Sequence, residues 1–134
     1  MKTFSGLTTL GILSFILNSC DPINCAMIEN KSEKNIEFLI HLNSIDSISG
    51  SENYLIDSVS KIAKTTLEPN EEIIVAYGAR IAAPIRKNDL KFNKIEIIIE
   101  NDTLKYNKSA FYYSLKSRID WPFFAMRNWY FTIK

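Results

Sequence analysis

Three stretches of this chain alternate apolar and polar side chains with a period of two, and that spacing restricts the fold more than any other feature. Ile36, Phe38, Ile40 and Leu42 share one face, while Glu37, Leu39 and His41 share the other. Ile73, Val75 and Tyr77 repeat the pattern, and Ile95, Ile97 and Ile99 do so again with Lys94, Glu96 and Glu100 opposite. Only an extended strand puts residues i and i+2 on one side, so each stretch reads as a strand with one face in a core and one toward water. Asn101-Asp102, two residues that tolerate the left-handed conformation, sit between Ile95–Glu100 and Thr103–Tyr106 and predict a tight hairpin there. Leu67-Glu68-Pro69-Asn70-Glu71 reverses the chain between two strands, since Pro69 fixes its own φ and Asn70 suits the next turn position. Trp129–Ile133 is aromatic and β-branched and reads as the closing strand.

Two segments carry competing signals. Within 49–63, Leu55, Val59, Ile62 and Ala63 have helical spacing and Ser49 with Glu52 matches a capping box, whereas the β-branched residues and Ser-rich flanks favour a strand ending near Leu67. Within 109–119, Phe111, Leu115 and Ile119 line one face of a short helix, with Lys116 and Arg118 at its C-terminal end. With 46% hydrophobic residues, four Gly and four Pro in 134, the chain has enough apolar surface for one core, and no interdomain linker appears. The expected architecture is one all-β domain over residues 25–134, an antiparallel β-sandwich with room for one or two short helices. The strand, Pro-turn, strand passage from Met27 to Tyr77, with Glu29-Asn30-Lys31-Ser32 as an earlier Asn-rich turn, resembles bacterial immunoglobulin-like β-sandwich domains. That resemblance implies an immunoglobulin-like fold and says nothing about a site.

The first twenty residues differ in kind. Lys2 is followed by an uncharged run from Phe4 to Leu17 and then by Asn18-Ser19-Cys20, the order of a secretory signal: a cation, a short apolar segment and a small residue before a cleavage point. A helix rising about 1.5 Å per residue needs roughly twenty residues to cross a bilayer core, so residues 1–19 read as a signal and not as a span. Leu17-Asn18-Ser19-Cys20 also resembles the lipobox of bacterial lipoproteins, with an aliphatic residue three before the Cys and a small one directly before it; Asn18 departs from the commoner residue at its place. The resemblance implies that Cys20 opens the mature chain and carries acyl groups such as palmitate on its sulfur and its amine. Residues 20–24 would then tether the domain to a membrane of the cell envelope, the outer membrane being favoured. A Cys20–Cys25 disulfide is the alternative, contributing about 2 kcal/mol at most because the loop is so short. With Cys20 acylated, Cys25 is expected to behave as a small buried hydrophobe at the start of the first strand.

Sixteen Lys and Arg against fifteen Asp and Glu give a net charge of +1, which argues against a strongly basic nucleic-acid binder. The charge is uneven along the chain: residues 20–79 hold ten acids and four bases, and residues 80–134 eleven bases and five acids. Strands of the two halves are expected to pair and neutralise each other; the alternative is a basic side carrying Arg80, Arg86, Lys87, Lys91 and Lys94 that faces anionic headgroups or an acidic partner. Ten of the sixteen aromatic residues lie between Tyr106 and Phe131. Most are expected in the core, Trp129 and Phe131 pointing inward with Ile133, and Tyr112, Tyr113, Arg118 and Trp121 are the candidate ligand contacts, Trp121 because Trp121-Pro122 sits at a chain reversal. His41 lies on the polar face of its strand without a nucleophile motif beside it, and the acid pairs Glu71-Glu72 and Glu100 with Asp102 lie at turns. Two Cys with one His make no metal-ligand cluster, and the four glycines are isolated, so no enzyme chemistry, metal or cofactor is expected. Asp46-Ser47-Ile48, Asp57-Ser58-Val59 and Asp102-Thr103-Leu104 resemble the O-glycosylation acceptor of exported Bacteroidota proteins, which would mark Ser47, Ser58 and Thr103. The expected function is non-catalytic binding at the membrane, to a protein, a glycan or another envelope component. An inhibitor or immunity-type protein that blocks a toxin or protease, and a small envelope hydrolase, are the competing readings.

Overall fold

The computed structural model describes residues 23–47, 53–81, 83–121 and 126–134. These form β1 (Ile23–Asn30), β2 (Ile36–Leu42), β3 (Leu55–Asp57), β4 (Ile62–Leu67), β5 (Glu72–Ile81), β6 (Phe92–Ile99), β7 (Asp102–Asn107), α1 (Lys108–Ser114), β8 (Lys116–Trp121) and β9 (Met126–Ile133). One sheet runs β5-β1-β9-β8 and the other β3-β4-β2-β6-β7, so the fold is an all-β sandwich, with one short α-helix among the described residues. β1 pairs with β9 in parallel, and the remaining pairings are antiparallel. The three alternating stretches fall in β2, β5 and β6. Ile36, Phe38, Ile40 and Leu42 from β2 pack with Ile95 and Ile97 from β6, Ala26 and Ile28 from β1, and Phe131 and Ile133 from β9 in one core between the sheets.

A seven-residue helix does not hold itself together in water, so α1 depends on its packing. Asn107 caps it, the side chain accepting from the Ala110 N–H at 2.8 Å. Phe111, its one buried residue, stacks on Phe131 at 5.0 Å and meets Phe92 edge-on at 5.4 Å. The helix stops earlier than its spacing predicts. Leu115 is extended (φ −67°, ψ 135°) and buried, and Ile119, Lys116 and Arg118 belong to β8, with Ile119 54% exposed. Pairing of Lys116, Ser117 and Arg118 with β9 satisfies backbone groups that a longer helix would leave on the sheet edge.

Three other expectations change. The β1–β5 register slips so that Ala26 faces Ala76 while Met27 faces Ile74; Val75 and Ala76 are both buried, and Tyr77 emerges on the outer face, 44% exposed, instead of following Ile73 and Val75 inward. In the β6–β7 hairpin Ile99 already pairs with Asp102, and the left-handed residue is Glu100 (φ 55°) and not Asn101 or Asp102. Setting Ile95 opposite Tyr106 and Ile97 opposite Leu104 keeps the apolar face inward, and that register overrides the preference of the turn residues. β1 starts at Ile23, so Asn24, expected in the tether, is a buried strand residue. The 49–63 segment resolves as strand: β3 and β4 join through a turn at Lys61 (φ 55°), and β4 ends at Leu67; Ser49 and Glu52 lie outside the described residues. Asn70 is left-handed (φ 67°) in the Pro69 turn, as its residue type predicts.

Candidate functional site

Strand alternation puts Cys25, Met27 and Glu29 of β1 on the outer face of the β5-β1-β9-β8 sheet, beside Tyr130 and Thr132 of β9. Cys25, Met27 and Tyr130 are buried there with Ile74 against them, and burial pushes the Cys25 thiol up, as suits a small hydrophobe. Cys20 lies outside the described residues, and so does any pairing through it. Glu29 is 4% exposed, and its carboxylate faces three donors: Lys31 Nζ at 3.1 Å, Arg118 Nη1 at 3.3 Å and Thr132 Oγ1 at 3.1 Å. The Arg118 guanidinium lies 3.7 Å above the centre of the Tyr130 ring, so one side chain both neutralises Glu29 and covers Tyr130.

Burial raises the Glu29 carboxyl, but the hydrogen bonds from Lys31, Arg118 and Thr132 and the Arg118 charge outweigh it and hold the group below its ordinary 4.5. An acid whose folded-state value is lowered stabilises the fold in its ionised form; the contribution is complete above pH 4.5 and fades as pH falls through the lowered value. Arg118→Ala is therefore expected to lower stability by about 1–2 kcal/mol at pH 7, because Arg118 is half exposed and two donors remain, and by much less near about pH 3. Urea unfolding at both pH values checks this; equal losses at the two would contradict it.

Tyr130 and Thr132 also line a cleft of about 410 Å³ with Tyr106, Ser114, Phe131, Lys116 and Lys134. α1 supplies Ser114, and β8 supplies Lys116 directly opposite Tyr130. Four hydroxyls, two ammonium groups and the edges of aromatic rings meet here on strand and helix positions. Ser114 Oγ donates to the Ala110 carbonyl at 2.8 Å and Thr132 Oγ1 donates to Glu29, which leaves the lone pairs of both hydroxyls as acceptors, and the described lining residues include no carboxylate or imidazole. At the opposite edge of the sandwich a groove of about 530 Å³ runs between β4 and β5, lined by Thr65, Thr66, Glu71, Glu72, Ile74 and Tyr77 among others. Tyr54 braces that edge by donating its hydroxyl to the Ile74 carbonyl at 2.9 Å, and burial pushes its phenol far above the ordinary value of 10. A third recess, about 400 Å³ and mostly apolar, lies over Leu39, Leu55, Ile56 and Ile62.

Of the four residues expected to touch a ligand, the structure places Tyr112 and Tyr113 on α1 and Arg118 on the outer sheet face. Tyr112 and Tyr113 are ring neighbours on α1 (5.4 Å); the Tyr112 hydroxyl donates to the Ile85 carbonyl at 3.3 Å, whereas Tyr113 is 79% exposed. Arg118 serves Glu29 and Tyr130 on the sheet face. Trp121 ends β8 opposite Met126, and its side chain lies outside what is described. Glu29, Tyr130 and Lys116, which build the cleft and its flank, carry no motif in the sequence; only the pairing of β1 with β9 and of β9 with β8 brings them together. His41 is on the outer face of the other sheet with Nε2 3.0 Å from Glu96 Oε1, and Glu96 is also held by Lys94 at 2.6 Å. The Lys94 hydrogen bond outweighs burial, and with the charges of Lys105, Lys94 and His41 it keeps the Glu96 carboxyl below its ordinary value. Glu71 accepts from the Glu68 N–H and Glu100 pairs with Lys34, so both acid pairs contribute to turns. Ser58 and Thr103 are exposed, while the Ser47 side chain and Ile48 lie outside the described residues.

The two halves of the chain pair as β2 with β6 and β1 with β9; the ion pairs Arg118–Glu29 and Lys34–Glu100 cross between them, as does the His41–Glu96 hydrogen bond. No family model, curated protein or solved structure matches the chain.

Proposed function

We propose that this chain is a lipoprotein of the cell envelope, anchored through acylated Cys20, whose β-sandwich binds an envelope component without catalysis. The observation that carries the binding half is the cleft at the β8–β9 edge: two lysines and four hydroxyls beside aromatic rings suit a hydroxyl-rich ligand, a glycan above all, and supply no pair of groups for acid–base chemistry. The anchoring half rests on Leu17-Asn18-Ser19-Cys20 and on the short distance in sequence from Cys20 to β1 at Ile23. Tethering restricts the search of a weak binding face to a surface and so raises its effective concentration without added contacts. One acyl chain gives only marginal membrane residence, and several give a stable anchor, because each buried methylene contributes about 0.8 kcal/mol.

Cells fed a fatty-acid probe test the proposal. The wild-type chain is expected to take up label and sediment with membranes, and Cys20→Ala to lose both. An unlabelled Cys20→Ala chain retained on membranes as fully as wild type rejects the anchor.

A further inference from the structure

The strands give the sandwich two distinct ends. β1 starts, β5 finishes, β9 starts and β8 finishes at one end, as the pairs Ile23 with Ile81 and Trp121 with Met126 establish. The β5–β6 connection lies at the same end: Asn24 donates to the Ala83 carbonyl and accepts from the Arg127 N–H at 3.3 Å, and the Asn43 N–H donates to the Lys91 carbonyl at 3.0 Å. The turns 31–35, 68–71 and 100–101, together with Lys134, occupy the other end.

The sequence's charge asymmetry falls along this axis. Segments 43–47, 57–61, 80–81, 83–91, 107–108, 120–121 and 126–127, at the end where β1 begins, hold seven bases and four acids. Segments 31–35, 68–72 and 100–102 with Lys116 and Lys134 hold four bases and six acids. Arg86, Lys87, Lys91 and Arg127 are exposed at the first end, as are Asp46 and Asp57; Asp89 accepts from the Arg86 N–H at 2.7 Å, and Asp57 accepts from the Val59 N–H at 2.9 Å and the Ser60 hydroxyl at 2.6 Å, so the bases outnumber the acids there without silencing them.

We propose that this basic end lies against an anionic lipid surface, so that the domain stands on the membrane with its acidic end outward. The charge arrangement stands by itself; the geometry rests on the Cys20 anchor proposed above. Ile23 lies three positions after Cys20, and a fully extended chain spans at most about 3.5 Å per residue, so the end where β1 begins is held within about 10 Å of the headgroups. That equals the Debye length at moderate salt, so the cations at this end feel the surface charge that distant ones do not. Each Lys or Arg this close to an anionic leaflet strengthens binding roughly fivefold.

Every residue of the main core lies between Ala26 and Ile133, so residues 21–134 carry the whole two-sheet core and serve as the anchor-free probe. Sedimentation with vesicles containing about 30% phosphatidylglycerol is expected to capture them at low ionic strength, to fail in about 0.5 M salt, and to fail with purely zwitterionic vesicles. Arg86→Glu, Lys87→Glu and Arg127→Glu together should weaken capture by about 100-fold or more. Lys34→Glu, Lys105→Glu and Lys134→Glu, an equal change of net charge away from that end, should weaken it less than about fivefold. Unchanged melting temperatures show that both sets of variants fold. Absence of capture by anionic vesicles, or equal losses in the two triple variants, overturns the proposal. The acylated full chain on zwitterionic vesicles reports the anchor alone, and its failure to bind there defeats the anchor while leaving the charge-driven result standing.

Discussion

Replacing Asn30 with Asp is expected to cost about 3–5 kcal/mol at neutral pH and to lower the melting temperature by about 12–20 °C. Asn30 is fully buried, and its side chain joins two of the connections through which the chain changes sheets, β1 to β2 and β4 to β5. Nδ2 donates to the carbonyls of Lys34 (2.8 Å), Leu67 (3.1 Å) and Glu68 (3.1 Å), while Oδ1 accepts from the N–H and hydroxyl of Ser32 at 3.0 and 2.7 Å. The backbone adds the Asn30 N–H to the Glu71 carbonyl and the Asn70 N–H to the Asn30 carbonyl. Aspartate has the same shape but turns a negative oxygen toward three carbonyl oxygens, which leaves a buried charge unpaired. Such a carboxyl ionises only at raised pH, so its proton-bound form is favoured in the fold. The penalty should therefore shrink as pH falls through the raised value, so that acidification restores stability to the variant, whereas it removes the contribution of Glu29 from the wild type. Thermal melts of wild type and Asn30→Asp from about pH 4 to 8 check both size and sign; a pH-independent loss would show that charge is not the cause.

Phe111→Ala is expected to cost a further large amount, about 3–5 kcal/mol, because it empties the space between Phe92 and Phe131. The consequence reaches the cleft. Phe111 is the one buried residue of α1, so without that ring the helix loses its main apolar contact and is left with the weaker tie of Tyr112 to the Ile85 carbonyl, and the Ser114 wall of the cleft loosens. Amide exchange of residues 108–114 should rise to that of an open segment while β2 and β6 stay protected. Phe111→Leu, which keeps most of the volume, should cost less than about 1.5 kcal/mol. An alanine variant with protected α1 amides would place the helix's support elsewhere.

The strands were legible because period-two burial leaves its mark in residue type: Ile36–Leu42 and Ile95–Ile99 needed no partner to be read. Features that depend on pairing left no such mark. Tyr77 faces outward because of a slipped register between β1 and β5, and Glu100 is left-handed because Ile95 and Tyr106 must meet across the hairpin. Ile119 has helical spacing from Phe111, yet the free edge of β9 takes its segment as a strand. The cleft was hidden for a similar reason. Lys116 looked like a helix-end cation, and Glu29 and Asn30 looked like turn residues; their roles appear only when β1 lies between β5 and β9. Charge was half legible, since the uneven halves do pair as expected, while the opposite signs of the two ends follow from where the turns fall.

The intact mass of the chain isolated from cells tests the central claim most directly. The account predicts a chain beginning at Cys20, heavier than residues 20–134 by several acyl groups, with the added mass on Cys20 and its amine. An unmodified chain of all 134 residues, recovered in the soluble fraction, would contradict it.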